Sequence, residues 1–157
     1  PRSVSSAASD VYKRQGQGPG QKIDRDLETV KIGKANLLKK GSSKLIMLNF
    51  GSLLNHAKEI AKKYDMTLID MRFIKPFDEG ILKKYSNAKW FITIEDGSLI
   101  GGIGSTIANW VTEQNFKIQV KCFGIPDKFI EHMSREQMIK EAKLDYESIT
   151  KELDKIF

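Results

Sequence analysis

Lys44 to Gly51 reads KLIMLNFG, an apolar run interrupted only by Asn49 and closed by glycine. A strand with one wet face alternates apolar and polar residues. This one does not alternate, so both of its faces must be covered, as in a parallel strand sandwiched between helices. That requirement narrows the fold more than any other feature of the chain.

The segments that follow meet it. SLLNHAKEIAKKY places Leu53, Leu54, Ala57, Ile60, Ala61 and Tyr64 on one helical face, with Ser52 as its N-cap. MTLIDM reads as the next strand, and Pro76 then breaks the chain before a short helix, EGILKKYS, capped by Asp78. KWFITIED (Lys89–Asp96) is a further strand. STIANWVTEQ is a helix with Ile107, Trp110 and Val111 inward, and KIQVKCFG is a strand in which Ile118, Val120 and Cys122 alternate. KANLLKKG supplies a short edge strand ending at Gly41, and SREQMIKEA and YESITKELDKIF are terminal helices, the first opened by a Ser134–Gln137 capping box. The alternation predicts an α/β fold: three α/β/α layers around a mostly parallel five-stranded sheet.

Residues 1–20, PRSVSSAASDVYKRQGQGPG, have almost nothing to bury and read as a tail or linker, leaving 21–157 as the domain. SVSSAASDVYKRQ is also similar to a translated adaptor sequence from assembled environmental reads. That similarity puts the native start near Gln15 in a chain truncated upstream.

Several function classes are disfavoured by composition. No apolar run approaches the ~18–20 residues of a membrane span, and the N-terminus lacks an apolar signal core, so no membrane partner is expected. Cys122 is the only cysteine, which excludes an internal disulfide and fits a reducing, cytoplasmic setting. The net charge is +6, but the lysines are scattered among acids, as at Lys58-Glu59 and Lys151-Glu152, without an arginine cluster. This is a solvated surface rather than a nucleic-acid footprint.

IEDGSLIGGIGS (Ile94–Ser105) holds four glycines within eight residues, Gly97 to Gly104. A dinucleotide fingerprint needs a third glycine where Ile107 stands, and a P-loop needs lysine where Ile103 stands. Glu95 and Asp96 would repel a bound phosphate. A weak anion site at the helix start remains one reading; glycines that permit positive φ and close backbone approach are the preferred one. His56 has no partner in sequence, Glu131-His132 offers a polar or substrate contact, and Cys122 reads as a small buried hydrophobe. Asp70 and Arg72, at a strand end, are either functional groups or an ion pair. Together these residues do not assemble a nucleophile, a base and an oxyanion site.

Three segments carry a resemblance. LIDMRFIKPFDEGIL, TIEDGSLIGGIGSTIANWV and FGIPDKFIEHMSREQMIKEAKLD, in this order and spacing, resemble the C-terminal domain of the 1-deoxy-D-xylulose-5-phosphate synthase family, thiamine-diphosphate enzymes of transketolase type. IGKANLLKKGSSKLIMLNFGSLL is similar to the start of the same domain, so the likeness runs from about Val30 to the C-terminus. The Asp70–Pro76 pattern followed by Gly-Gly-x-Gly is shared with β chains of 2-oxoacid dehydrogenases, whereas GIPDKFIEH points to the synthases. Asp96 and Gly97 stand where the synthases have Glu-Asn, and Met133 where glycine is common.

The resemblance implies a homodimeric parent that decarboxylates pyruvate and joins the two-carbon fragment to D-glyceraldehyde 3-phosphate, supplying isoprenoid, thiamine and pyridoxal synthesis. It also implies that thiamine diphosphate and Mg²⁺ are held by two upstream domains, through a Gly-Asp-Gly…Asn motif and a glutamate, neither of which this chain contains. The chain would then be a supporting and dimerising domain, inactive alone, partnered by those upstream domains. A Tyr-Pro-Arg-Gly segment precedes the domain in this family; Pro1-Arg2 is followed by Ser3, Gly16–Gly18 offers another continuation, and Arg14 lies in the adaptor-like stretch. No catalytic, cofactor-binding or metal residue is therefore assigned. The loop candidates are Gly101, Gly102, Gly104, Ser105, Glu131 and His132. Two rival readings are the C-terminal part of a 2-oxoacid dehydrogenase β chain and a free-standing binding or assembly module.

Overall fold

The computed structural model describes residues 29–131 and 133–157, and the tail, the 20/21 boundary, Arg2 and His132 lie outside them. Five strands form one sheet: β1 (Asn36–Lys39), β2 (Leu45–Phe50), β3 (Thr67–Asp70), β4 (Trp90–Ser98) and β5 (Gln119–Ile125), in the spatial order β1-β3-β2-β4-β5. β1 runs antiparallel to β3 at the edge, and every other pairing is parallel. Among the described residues five helices cover the sheet: α1 (Leu54–Lys63), α2 (Glu79–Lys83), α3 (Ile103–Glu113), α4 (Arg135–Glu141) and α5 (Tyr146–Leu153).

β2 is covered on both faces, as its composition required. Ile46, Leu48 and Phe50 point into a core shared with Leu82 of α2 and Ile107, Trp110 and Val111 of α3. Met47 points the other way, into a core with Ala57, Ile60 and Ala61 of α1 and Ile149 and Leu153 of α5. Each fully buried Leu, Ile or Met contributes about 2 kcal/mol to folding, and these two cores hold the three layers together. None of the described helices is long and apolar enough to cross a membrane.

Two of the expected caps form. Asp78 accepts from the Ile81 N–H at 3.2 Å, and Ser134 and Gln137 make the complete capping box on α4. Ser52 does not cap α1. The N-cap position belongs to Leu53, which has no side-chain cap and is instead driven into the core. β4 also runs two residues beyond the expected end at Asp96, through Gly97 to Ser98, where Ser98 pairs with Ile125.

The connection from β2 to β3 passes through α1 on one face, and that from β4 to β5 through α3 on the other. Because β2 and β4 are neighbours, the chain departs in opposite directions from their carboxyl ends. A crevice opens there, the usual ligand position in open α/β sheets.

Candidate functional site

The glycine turn lies at the carboxyl end of β4. Glu95, 4% exposed, turns its carboxylate towards the first turn of α3. Its Oε2 accepts from the Ile103 N–H and its Oε1 from the Gly104 N–H, both at 3.0 Å. Two of the amide groups that make a helix start attractive to anions are therefore taken by the chain's own carboxylate.

The glycines fit this arrangement. Gly102, the N-cap residue of α3, has no side chain to cap with, and a Cβ there would strike the Ser98 carbonyl and lie 2.6–2.7 Å from the Glu95 oxygens. At Gly104 a Cβ would fall 2.7 Å from Thr93 Oγ1 and 2.9 Å from Cys122 Sγ. Gly101 adopts φ +71° in open space, so there the backbone conformation sets the requirement. Ser105 Oγ donates to the Leu99 carbonyl at 3.2 Å, closing the turn. The structure brings Gly101, Gly102, Gly104 and Ser105 together as one packed turn. A diphosphate at this helix start would meet the Glu95 carboxylate, so these residues do not fit the cofactor's diphosphate. Among the described residues no group of three His, Cys, Asp or Glu side chains converges to hold a metal ion.

Beside this turn, the β2–β4 crevice holds three polar side chains that local sequence patterns did not connect. The Ser52 N–H donates to Asp96 Oδ2 at 3.2 Å, and its hydroxyl donates to the same carboxylate. The Arg135 guanidinium donates to the Ser52 hydroxyl and stands 3.9 Å from the Asp96 carboxylate. Ser52 and Arg135 are 83 positions apart and meet only because α4 folds back over the crevice. The only local signal was the replacement at Asp96.

The remaining candidates are dispersed. Asp70 and Arg72 form a loose ion pair at 3.9 Å, and Asn49 donates to Asp70 at 3.2 Å from the neighbouring strand. Cys122 is half-buried, and burial pushes its thiol above the ordinary range, which disfavours the nucleophilic thiolate. His56 is half-buried on α1, and Glu131 is exposed in the connection between β5 and α4. What the site can do chemically is hold a backbone turn rigid. Among the described residues it contains no activated nucleophile.

Comparison with known proteins gives this frame a family. The family model described as the transketolase C-terminal domain matches residues 33–149. The 1-deoxy-D-xylulose-5-phosphate synthase of Francisella tularensis subsp. novicida (strain U112) is 41% identical over 145 residues, 90% of this chain and 23% of the synthase. The synthase of subsp. tularensis (strain SCHU S4 / Schu 4) matches to the same extent. A solved split-gene transketolase, described as an inactive β4 tetramer, superposes with a TM-score of 0.72 at 25% identity, covering 80% of this chain and 43% of that one. The chain thus spans about a quarter of the length of the curated relatives it matches, 23%.

Proposed function

The chain belongs to the transketolase C-terminal domain family, and from that premise we propose that it is the supporting and dimerising domain of a 1-deoxy-D-xylulose-5-phosphate synthase. The whole enzyme would act in the cytoplasm, condensing pyruvate with D-glyceraldehyde 3-phosphate and releasing CO₂. Thiamine diphosphate, which supplies carbanion stabilisation, and Mg²⁺ would be held by upstream domains.

The observation that carries this reading is the occupancy of the α3 N-terminus by Glu95. The one turn whose glycines suggest a phosphate cradle is spent on internal packing, so the domain contributes surface rather than chemistry. That surface has the required character. Ile32 is 80% exposed, Ile100 67%, Ile74 55% and Val30 51%, and Gly33 lies against Pro76, which puts the lead-in segment beside the loop after β3. Large aliphatic side chains left in water, two of them (Ile32 and Ile74) carried by these adjoining segments, suit burial against a neighbouring domain.

A domain exchange tests the proposal. The chain should release no CO₂ from pyruvate and D-glyceraldehyde 3-phosphate when given thiamine diphosphate and Mg²⁺. Grafted in place of the C-terminal domain of the Francisella synthase, residues 29–157 should support product formation. Turnover by the chain alone, or a folded dimeric chimera that makes no product, would overturn the reading.

A further inference from the structure

The crevice between the carboxyl ends of β2 and β4 opens into a cavity of about 340 Å³. Its walls are aliphatic: Leu53, Ile125, Ile130, Met138, Ile139 and Leu144. Three charged side chains stand among the lining residues, Asp96, Lys128 and Arg135. Phe129, 91% exposed, also lines it. This volume is at the lower end of the range of small-molecule pockets, which combine apolar walls with a few converging polar groups and favour the switch point of an open α/β sheet.

We propose that this crevice binds a small amphipathic carboxylate, with its hydrocarbon body against Met138, Ile139 and Ile125 and its head group at Arg135. Among the described residues the walls offer, beyond the three charged ones, no side chains to satisfy the hydroxyl and amide groups of a sugar or nucleobase, which favours a ligand with a hydrocarbon body. The charges choose the sign of the head group. Asp96 is already engaged by the Ser52 N–H and hydroxyl. Lys128 is paired with Glu141 at 2.5 Å. Arg135 gives a hydrogen bond to Ser52 and stands 3.9 Å from Asp96, which leaves guanidinium N–H groups free for a carboxylate. A cationic head would meet Arg135 and Lys128 and find the acid committed. The inference stands on this cavity and does not depend on the enzyme assignment.

Backbone amide NMR on the full chain tests it, with octanoate, octylamine and octanol as probes. Octanoate at millimolar concentration should produce saturable shifts confined to Ser52, Leu53, Asp96, Ile125 and the described residues of 128–144. Octylamine should not, and octanol should bind more weakly. Arg135→Gln should weaken octanoate binding by about tenfold, the usual cost of one charge-assisted hydrogen bond. It leaves the helix cap intact, because that cap is made by Ser134 and Gln137. Met138→Trp, which fills the cavity from a half-buried position, should abolish the shifts. The proposal is overturned if octanoate gives no saturable shifts, if octylamine binds as well as octanoate, or if Met138→Trp binds like the parent.

Discussion

The Glu95 carboxylate and the Gly104 amide meet at 3.0 Å across the turn joining β4 to α3. With the second bond to Ile103, a residue on a buried strand supplies the cap that Gly102 cannot. The carboxyl-terminal part of β4 and the first turn of α3 are thus joined. The close approach of Glu95 explains why glycine is needed at 102.

Replacing Glu95 should therefore damage folding more than a surface carboxylate would. Glu95→Gln keeps the shape but turns one acceptor into a donor facing an N–H, and should cost about 1–3 kcal/mol. Glu95→Ala leaves two buried N–H groups unpaired and should cost more. Urea denaturation measures both. A Glu95→Gln protein as stable as the parent would mean that the helix start is solvated after all.

The turn glycines should separate by mechanism. Gly102→Ala places a methyl group against the Ser98 carbonyl and the Glu95 carboxylate, so the backbone must move. Gly101→Ala meets nothing within 4 Å and has only its φ of +71° to contend with. The second change should cost about 1 kcal/mol and the first several-fold more. Thermal unfolding of the two variants checks the order. Equal losses would show that conformation, and not close packing, fixes both glycines.

That distinction also marks what the sequence could and could not reveal. KLIMLNFG announced a strand buried on both faces, and the periodicity of Ala57, Ile60 and Ala61 gave the helix that covers it, because both patterns are written in neighbouring residues. The Asp78 cap and the Ser134–Gln137 box were legible for the same reason. Ser52 looked like a cap because it precedes an amphipathic helix. Its hydroxyl goes instead to Asp96, 44 positions away, a partner no local pattern can name. Arg135 over the crevice and Glu95 under α3 are likewise products of tertiary folding. Glu95 was read as a charge that would repel an anion; in the folded chain it is the anion.

Asp78 should make stability depend on acid. Burial alone would raise its pKa, but the Ala35 and Ile81 N–H groups and Lys34 outweigh that and hold it below the ordinary carboxylate range. A carboxylate lowered on folding contributes in full above its unfolded pKa of about 3.9, and the contribution is lost as pH falls through the lower folded value. Asp78→Asn should thus be less stable than the parent near neutrality, by about 1 kcal/mol. The gap should close as the pH is lowered from about 5 towards about 3. Urea midpoints across that range measure it, and a gap independent of pH would assign the effect to packing.

Cys122 should be a slow thiol. Its pKa is raised chiefly by burial, which outweighs the opposing pull of Thr93, so little thiolate exists at neutral pH. Reaction with a disulfide reagent should be far slower in the folded protein than in urea and should accelerate as pH rises. Equal rates folded and unfolded would place the sulfur in solvent.

The exposed aliphatic residues give the last prediction. Ile32, Ile74 and Ile100 are more than half exposed, and Ile74 also lines a second cavity of about 210 Å³ with Phe77 and Ile103. Side chains so exposed stabilise the isolated domain little, because folding removes little of their surface from water. Any gain must come from a neighbour that covers them. Changing all three to serine should leave the thermal midpoint within about 6 °C of the parent, since substitutions at exposed positions away from caps and core cost about 0.5 kcal/mol or less each, about 1.5 kcal/mol for the three. The same changes should suppress concentration-dependent association in sedimentation velocity. In the chimeric synthase they should lower activity by loosening the contact with the upstream domains. A triple variant that associates like the parent and supports full activity would move the domain contact to another face.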